Sequence, residues 1–167
     1  MKTLWLVRHS KSAWDINGLA DIDRPLNDRG YSDAHEMAER LKKNIGHTLL
    51  VTSPAIRSVS TALIFSRHLN IDPAHIQIRQ TLYGSGREHY LAVIAALPEE
   101  HSSVMIFGHN PVISETLNFL AGTAMAEIPT TGIAAIGFEE PGWRKAAEHG
   151  GKLVLFDFPK NKGKGNS

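Results

Sequence analysis

Four basic side chains stand where predicted strands end. Arg8 and His9 directly follow a short apolar run, Arg57 lies in the first turn of a helix after a second run, and His109 follows a third. Such runs have the size of buried strands, and polar groups that are costly to bury belong where a strand leaves the core. In open parallel sheets, ligands bind beyond the carboxyl ends of the strands. The four side chains therefore indicate one binding site at one edge of a sheet.

The chemistry that suits these side chains is phosphate binding. Two guanidinium groups can each hold phosphoryl oxygens in bidentate fashion, and two imidazoles supply a nucleophile and a hydrogen-bond donor. Two of the positions also open predicted helices, whose free N–H groups and dipoles favour an anion. The sequence has no carboxylate cluster and no His-x-x-x-His pattern, so we expect neither a metal ion nor another cofactor. Taken singly, Arg57 could equally be a solvated helix residue and His109 a turn residue.

Strands alternate with helices along the chain, and this alternation predicts a three-layer α/β/α sandwich with a mostly parallel sheet. Strands are expected at residues 4–7, 49–51, 76–79, 104–107, 133–138 and 153–158. Helices are expected at residues 28–45, 54–69, 87–97 and 111–121. A hairpin-like connection at 139–151 predicts an antiparallel edge to the sheet.

The second helix has a clear predicted start. Ser53 is expected to cap it, with Pro54 at its first helical position. Its apolar face is predicted to include Ile56, Val59 and Leu63.

Composition predicts one domain, at residues 1–159, followed by a mobile basic tail at 160–167. A length of 167 residues is sufficient for a core without disulfides or a metal ion. The net charge of +1 does not indicate a nucleic-acid surface, and no apolar run is long enough for a membrane span. The absence of cysteine excludes a disulfide scaffold and a cysteine nucleophile and agrees with a reducing compartment. We expect a cytoplasmic monomer that binds neither nucleic acid nor membrane.

Three motifs in chain order carry a family resemblance. They are Leu-Val-Arg-His at residues 6–9, Ser-Pro-Ala-x-Arg-Ser-x-x-Thr-Ala at 53–62 and Gly-His-Asn-Pro at 108–111. Together they resemble the histidine phosphatase superfamily, the phosphoglycerate-mutase-like proteins. Residues 8–15 and 23–30 resemble its small SixA-type branch of phosphohistidine phosphatases. Ser10 departs from the family pattern, which often has Gly or Ala at this position.

The resemblance implies a role for each of the four basic residues. His9 would attack phosphorus in line and form a phosphohistidine that water then hydrolyses. Its ring would be neutral at one nitrogen, with the other N–H held by an acceptor that we expect to be a backbone carbonyl. Arg8, Arg57 and His109 would bind the equatorial phosphoryl oxygens, which carry the charge during the transfer.

A rim is predicted around this pocket, formed by Ser10, Lys11, Arg24, Tyr83 and Thr131. Thr130, which precedes the fifth predicted strand with Thr131, is also expected to reach this rim. Lys11 and Arg24 could equally be loop charges paired with Asp15, Asp21 or Asp23. The remaining histidines share no pattern and are expected mostly at the surface; they are His35, His47, His68, His75, His89, His101 and His149.

The segment after the third predicted strand lacks a proton donor. Larger members of the superfamily carry Glu or Asp there, whereas residues 81–86 of this chain contain no carboxylate and the next one is Glu88. An alkoxide leaving group needs such an acid, but a phosphoramidate nitrogen can carry the proton itself. Because only the loop at residues 10–27 is long, we also expect a shallow, open pocket that suits a protein side chain.

The sequence therefore predicts a metal-independent phosphatase that removes phosphate from phosphohistidine on a protein, through a covalent phosphohistidine intermediate. The expected partners are a phosphorylated protein and a phosphate or other oxyanion in the pocket. Two alternatives stay open. One is a small-molecule phosphomonoester phosphatase with Glu88 or His109 as its acid, and the other is a phospho-ligand binding module with little turnover.

Overall fold

The computed structural model describes residues 1–161 and contains a six-stranded sheet. Its strands are β1 (Lys2–Arg8), β2 (Leu49–Thr52), β3 (Gln77–Ile78), β4 (Ser103–Gly108), β5 (Ile133–Phe138) and β6 (Lys152–Asp157). Their order across the sheet is β3-β2-β4-β1-β5-β6. The first four in this order are parallel, while β5 and β6 add an antiparallel edge, as predicted. The predicted tail at 160–167 lies outside the described residues, apart from Lys160 and Asn161.

Helices cover both faces of the sheet. They are α1 (Asp28–Leu41), α2 (Ile56–His68), α3 (Arg87–Ala95), α4 (Val112–Ala121) and α5 (Trp143–Ala146). One core cluster joins α1 and α2 to one face, and a second cluster joins α3, α4 and α5 to the other. The predicted three-layer α/β/α architecture is confirmed. Within residues 1–161, none of the helices has the length and hydropathy that a membrane crossing requires.

The central strand β1 is buried on both of its faces. Leu4 and Leu6 enter one core cluster, and Trp5 and Val7 enter the other. This explains why β1 reads as a continuous apolar run rather than as an alternating pattern. Its last residue, Arg8, is in register with Gly108 of β4, so the two strands end together.

Helix α2 differs from its prediction at its start and on its buried face. Its N-cap is Ala55, and Ser53 instead accepts a hydrogen bond from the Ala55 N–H at 3.2 Å. Ile56 is exposed, whereas small and hydroxyl-bearing residues such as Thr61 are buried. The Thr61 hydroxyl donates to the carbonyl of Arg57 at 2.7 Å, which offsets the cost of burying it. Apolar periodicity alone could not identify such a face.

The connection between β5 and β6 contains helix α5, where a hairpin-like loop was predicted. Trp143 in this helix is fully buried. Its backbone N–H donates to Glu99 at 2.9 Å and its indole N–H donates to the carbonyl of His101 at 2.8 Å. These bonds fix the helix against the amino-terminal edge of the sheet, away from the ends of β1 and β4.

Gly30, in the first turn of α1, lies against the loop that follows β1. A Cβ atom at this position would collide with the backbone carbonyl of Lys11. The N–H of Asn27 donates to the same carbonyl at 3.0 Å, and the Asn27 side chain caps the helix by accepting from the Gly30 N–H at 2.8 Å. The start of α1 is therefore packed directly on the segment that carries the predicted site.

Candidate active site

A cleft of about 530 Å³ lies at the carboxyl ends of β1, β2 and β4. Arg8, His9, Arg57 and His109 all line it, so the structure brings the four predicted basic residues together. The His9 N–H donates to the carbonyl of Gly108 at 3.1 Å, which extends the pairing of β1 with β4 by one residue. As a result the rings of His9 and His109 lie side by side, with centroids 5.1 Å apart.

The His9 ring is held in one tautomer. Its Nδ1 lies 2.7 Å from the carbonyl oxygen of Ser10, which can only accept a hydrogen bond. Nδ1 therefore carries the hydrogen, and Nε2 is unprotonated and keeps its lone pair. Burial, together with the nearby positive charges of Arg57 and Arg8, lowers the pKa of His9 to about 3. At neutral pH this ring is an uncharged base with Nε2 as its nucleophilic atom, and the predicted backbone acceptor is present.

Arg57 is a buried residue in the first turn of α2. Its Nε–H donates to His9 Nε2 at 3.4 Å, so the guanidinium directs an N–H group at the unprotonated nitrogen. Its other two nitrogens donate to Asp21, Nη1 to the backbone carbonyl at 2.7 Å and Nη2 to the carboxylate at 3.1 Å. The guanidinium is thus fixed in plane and orientation before any ligand binds.

Arg8 has an unused donor. Its Nη1 donates to the carbonyl of Ile128 at 2.9 Å and lies 3.6 Å from the carboxylate of Glu127. Its Nε is buried and has no hydrogen-bond partner among the residues that the structure describes. Because buried N–H groups are nearly always satisfied, this donor fits an oxygen atom of a bound anion.

His109 is anchored from two sides. Its backbone N–H donates to the Tyr90 hydroxyl at 3.1 Å, and its Nε2 lies 2.7 Å from the hydroxyl oxygen of Ser53. Burial and the positive charge of Arg57 lower the pKa of His109 to about 4. Both histidines of the cleft are therefore neutral at physiological pH.

Ser10 and Thr131 lie beneath the cleft and do not form its rim. Both are fully buried, and their hydroxyl oxygens are 2.7 Å apart. The Thr131 N–H donates to the carbonyls of Arg8 and His9, and the Ser10 N–H donates to Thr61. The prediction that they line the rim is wrong because these bonds turn both residues inward. The neighbouring Thr130 does line the cleft, as predicted.

Lys11, Arg24 and Tyr83 line the cleft, as predicted. Both alternatives considered for Arg24 apply, because it also forms an ion pair with Asp21 at 3.0 Å. It donates to the Ser12 hydroxyl at 2.6 Å as well, and its guanidinium carbon lies 3.5 Å from the centroid of the Trp14 ring.

Asp21 is a charged cleft residue that sequence reasoning did not place in the site. Its carboxylate accepts from the Tyr83 hydroxyl at 2.6 Å, in addition to Arg57 and Arg24. These hydrogen bonds hold the pKa of Asp21 well below its usual range, and the bond from Tyr83 has the largest effect. Its spacing of three residues from Arg24 was the available signal, but it indicates only a local ion pair.

Glu88, the candidate acid, lies outside the cleft. It is in the first turn of α3 with its side chain 77% exposed, and its carboxylate lies 3.5 Å from Nδ1 of His89. Among the described residues that line the cleft, Asp21 is therefore the only one with a carboxylate.

The other histidines lie mostly at the surface, as predicted, and four of them form two pairs. His35 and His68 approach within 2.9 Å, and His68 also contacts Glu39. His47 and His101 stack with centroids 5.8 Å apart. Within residues 1–161, no group of three or more His, Asp or Glu side chains is arranged to hold a metal ion.

Comparison with known proteins places this geometry in a family. A model of the histidine phosphatase superfamily (branch 1) matches residues 4–83. An uncharacterized protein of Mycobacterium tuberculosis is 31% identical over 141 residues, which are 78% of this chain and 85% of the relative. The chain belongs to the histidine phosphatase superfamily.

Two solved structures of this superfamily are similar to the chain along nearly its whole length. A putative phosphohistidine phosphatase SixA from Agrobacterium tumefaciens is 30% identical with a TM-score of 0.77, covering 93% of this chain and 96% of its own. A putative SixA from Nakamurella multipartitia is 27% identical with a TM-score of 0.79, covering 95% and 96%. The fold is phosphoglycerate-mutase-like, and these relationships support phosphatase activity.

The lowered pKa of His9 predicts how stability varies with pH. An unfolded imidazole titrates near pH 6.5, whereas folded His9 titrates at about 3. Between these values the unfolded chain binds more protons, so stability falls as the pH falls from about 7 towards 4, by at most about 1.4 kcal/mol per pH unit for one such group. In urea unfolding at pH 7.5 and pH 5, His9→Gln should remove the part of this loss that is due to His9 and leave the part that is due to His109.

The matched control is His149→Gln, which removes an exposed imidazole from the same chain. A pH dependence in His9→Gln as steep as that of His149→Gln would show that His9 is not buried as a neutral base.

Proposed function

We propose that this protein is a metal-independent phosphohistidine phosphatase that acts on a protein, through a covalent phosphoryl intermediate on His9. The observation that carries the proposal is the composition of the cleft. It joins a neutral His9 nucleophile to three arginines, while its carboxylate, Asp21, is held in the ionised form. An ionised carboxylate cannot donate a proton to a leaving oxygen.

The first step transfers the phosphoryl group to His9. The lone pair on Nε2 forms a bond to phosphorus while the bond from phosphorus to the substrate imidazole breaks. The electron pair of the broken bond stays on the substrate nitrogen. If the other ring nitrogen of the substrate carries a hydrogen, the leaving group is a neutral imidazole and needs no acid.

The second step returns the enzyme to its starting state. Phosphorylated His9 keeps the hydrogen on Nδ1, where the Ser10 carbonyl accepts it, so the phosphorylated ring is cationic. Water attacks phosphorus, the electron pair of the P–N bond returns to Nε2, and the protons of the water leave with the inorganic phosphate. His9 is again a neutral leaving group, so neither step requires a proton from the protein.

The basic residues supply the charge that phosphoryl transfer requires. The Arg57 N–H that points at His9 Nε2 can reach the oxygens of a phosphoryl group bound to that nitrogen. The unsatisfied Nε of Arg8 offers a second donor. His109 would provide a further contact. Preorganised donors of this kind are the main source of catalysis in phosphoryl transfer, so we propose that the reaction needs no metal ion.

Exposed apolar side chains in the loop beside the cleft favour a protein as substrate. Trp14, at its wall, is 79% exposed, and Ile16 and Leu19 in the same loop are also exposed. Large apolar side chains grouped at the edge of a site are typical of protein contact surfaces. A small metabolite would leave this surface unused. The likeness to putative phosphohistidine phosphatases supports the same conclusion.

His9→Ala should abolish turnover while the protein stays folded, because the residue faces a cleft rather than the core. Rapid quenching of the wild type with a labelled phosphohistidine protein should trap label on His9. His35→Ala, in which an exposed histidine is removed, is the matched control and should retain both turnover and label. Label on any residue other than His9 would refute the proposed intermediate.

The choice of leaving group tests the absence of an acid. Across aryl and alkyl phosphates, kcat/KM of the wild type should fall steeply as the leaving group becomes less acidic, since no group protonates it. Glu88→Gln should show the same slope, because Glu88 lies outside the cleft. A flat series in the wild type that becomes steep in Glu88→Gln would make Glu88 the acid and favour a phosphomonoester phosphatase.

A further inference from the structure

Asp21 is an unexpected charge in this cleft. Phosphate is an anion, and a carboxylate among its arginines opposes binding unless it serves the substrate in another way. Asp21 stays ionised because Tyr83, Arg57 and Arg24 all donate to it. Its negative charge also partly offsets the lowering of the pKa of the neighbouring His109 by burial and by Arg57. The cleft thus has a cationic floor around His9 and an anionic group nearer the solvent.

The Asp21 carboxylate retains capacity for a ligand. A carboxylate offers about four acceptor sites. Two donors, Tyr83 and Arg57, bind Oδ2, whereas Oδ1 receives one bond, from Arg24. The side chain is 51% exposed, so the remaining site on Oδ1 is open to a substrate N–H group.

The substrate of the proposed function has the matching charge pattern. Phosphohistidine with a protonated ring carries an anionic phosphoryl group on one nitrogen and a hydrogen on the other. This protonated form is the one that leaves without help, because breaking the P–N bond then yields a neutral imidazole. An imidazole ring titrates close to neutral pH, so an acceptor for its N–H would increase the reactive fraction.

We propose that Asp21 is a specificity-determining residue that accepts the ring N–H of a phosphohistidine substrate and so selects the protonated form for cleavage. Arg57 links the two halves of the site, since it donates to Asp21 and points at His9 Nε2. The leaving ring and the attacking ring would each have their distal N–H held by an oxygen acceptor, Asp21 for one and the Ser10 carbonyl for the other. This inference rests on the proposed function.

The test compares Nε2-phosphohistidine with p-nitrophenyl phosphate, which has no ring N–H and a leaving group that needs no acid. In Asp21→Asn the ratio of kcat/KM for phosphohistidine to that for p-nitrophenyl phosphate should fall by about tenfold or more, a typical effect for a charge-assisted hydrogen bond. The basic limb of the kcat profile for phosphohistidine should also move to lower pH. Asp23→Asn, in the same exposed turn, is the control and should keep the wild-type ratio.

A second variant separates charge from shape. Asp21→Glu retains the carboxylate on a half-exposed loop position and should keep the ratio within about threefold of wild type. Equal loss of both activities in Asp21→Asn, with the ratio unchanged, would show that Asp21 only orients Arg57 and would overturn this inference while leaving the proposed function intact. A wild type that hydrolyses p-nitrophenyl phosphate but not phosphohistidine would instead refute the proposed function itself.

Discussion

The site depends on the hydrogen bond from His9 Nδ1 to the carbonyl of Ser10, 2.7 Å long. An imidazole has two nitrogens of similar basicity, and a nucleophile must present the unprotonated one. The backbone carbonyl makes that choice permanently, because it can only accept. Burial beside Arg57 and Arg8 then keeps a second proton off the ring. Both conditions follow from where β1 ends, so the sheet sets up the reactivity that we propose for His9.

The residues around this bond stabilise the backbone that makes it. Ser10 is turned inward by the bond from its N–H to Thr61 and by the contact between its hydroxyl and that of Thr131. With the side chain turned inward, the Ser10 carbonyl lies beside His9. Thr131 also donates its N–H to the carbonyls of Arg8 and His9. These buried hydroxyls do not line the cleft, yet they fix the tautomer of His9, the proposed nucleophile.

Sequence reasoning identified the features that depend on local pattern. Apolar runs located β1, β2 and β4, and their ends located the four basic residues, because parallel strands finish at one edge of a sheet. It misplaced Ser10 and Thr131, since the direction of a side chain after a strand is set by partners far away in the chain. It also left Asp21 as a loop charge. The path of an irregular loop has no periodicity from which a distant contact with Arg57 could be predicted.

The buried face of α2 was not predicted for a related reason, because a satisfied polar side chain carries no signal in apolar periodicity. Thr61 is polar in sequence and buried in structure, because its hydroxyl is satisfied by a carbonyl within its own helix. A periodicity analysis counts such residues as solvent-facing. The Ser10 N–H donates to the Thr61 hydroxyl, so this face also packs against the segment that carries His9.

The protonation state of His9 tests the proposed nucleophile most directly. Nitrogen-15 NMR of the ligand-free protein at pH 6, with the His9 signals assigned by their loss in His9→Gln, reports the state of both ring nitrogens. We predict a neutral ring with hydrogen on Nδ1 and an unprotonated Nε2, unchanged down to about pH 4. A cationic ring at pH 6, or a neutral ring with its hydrogen on Nε2, would contradict this prediction.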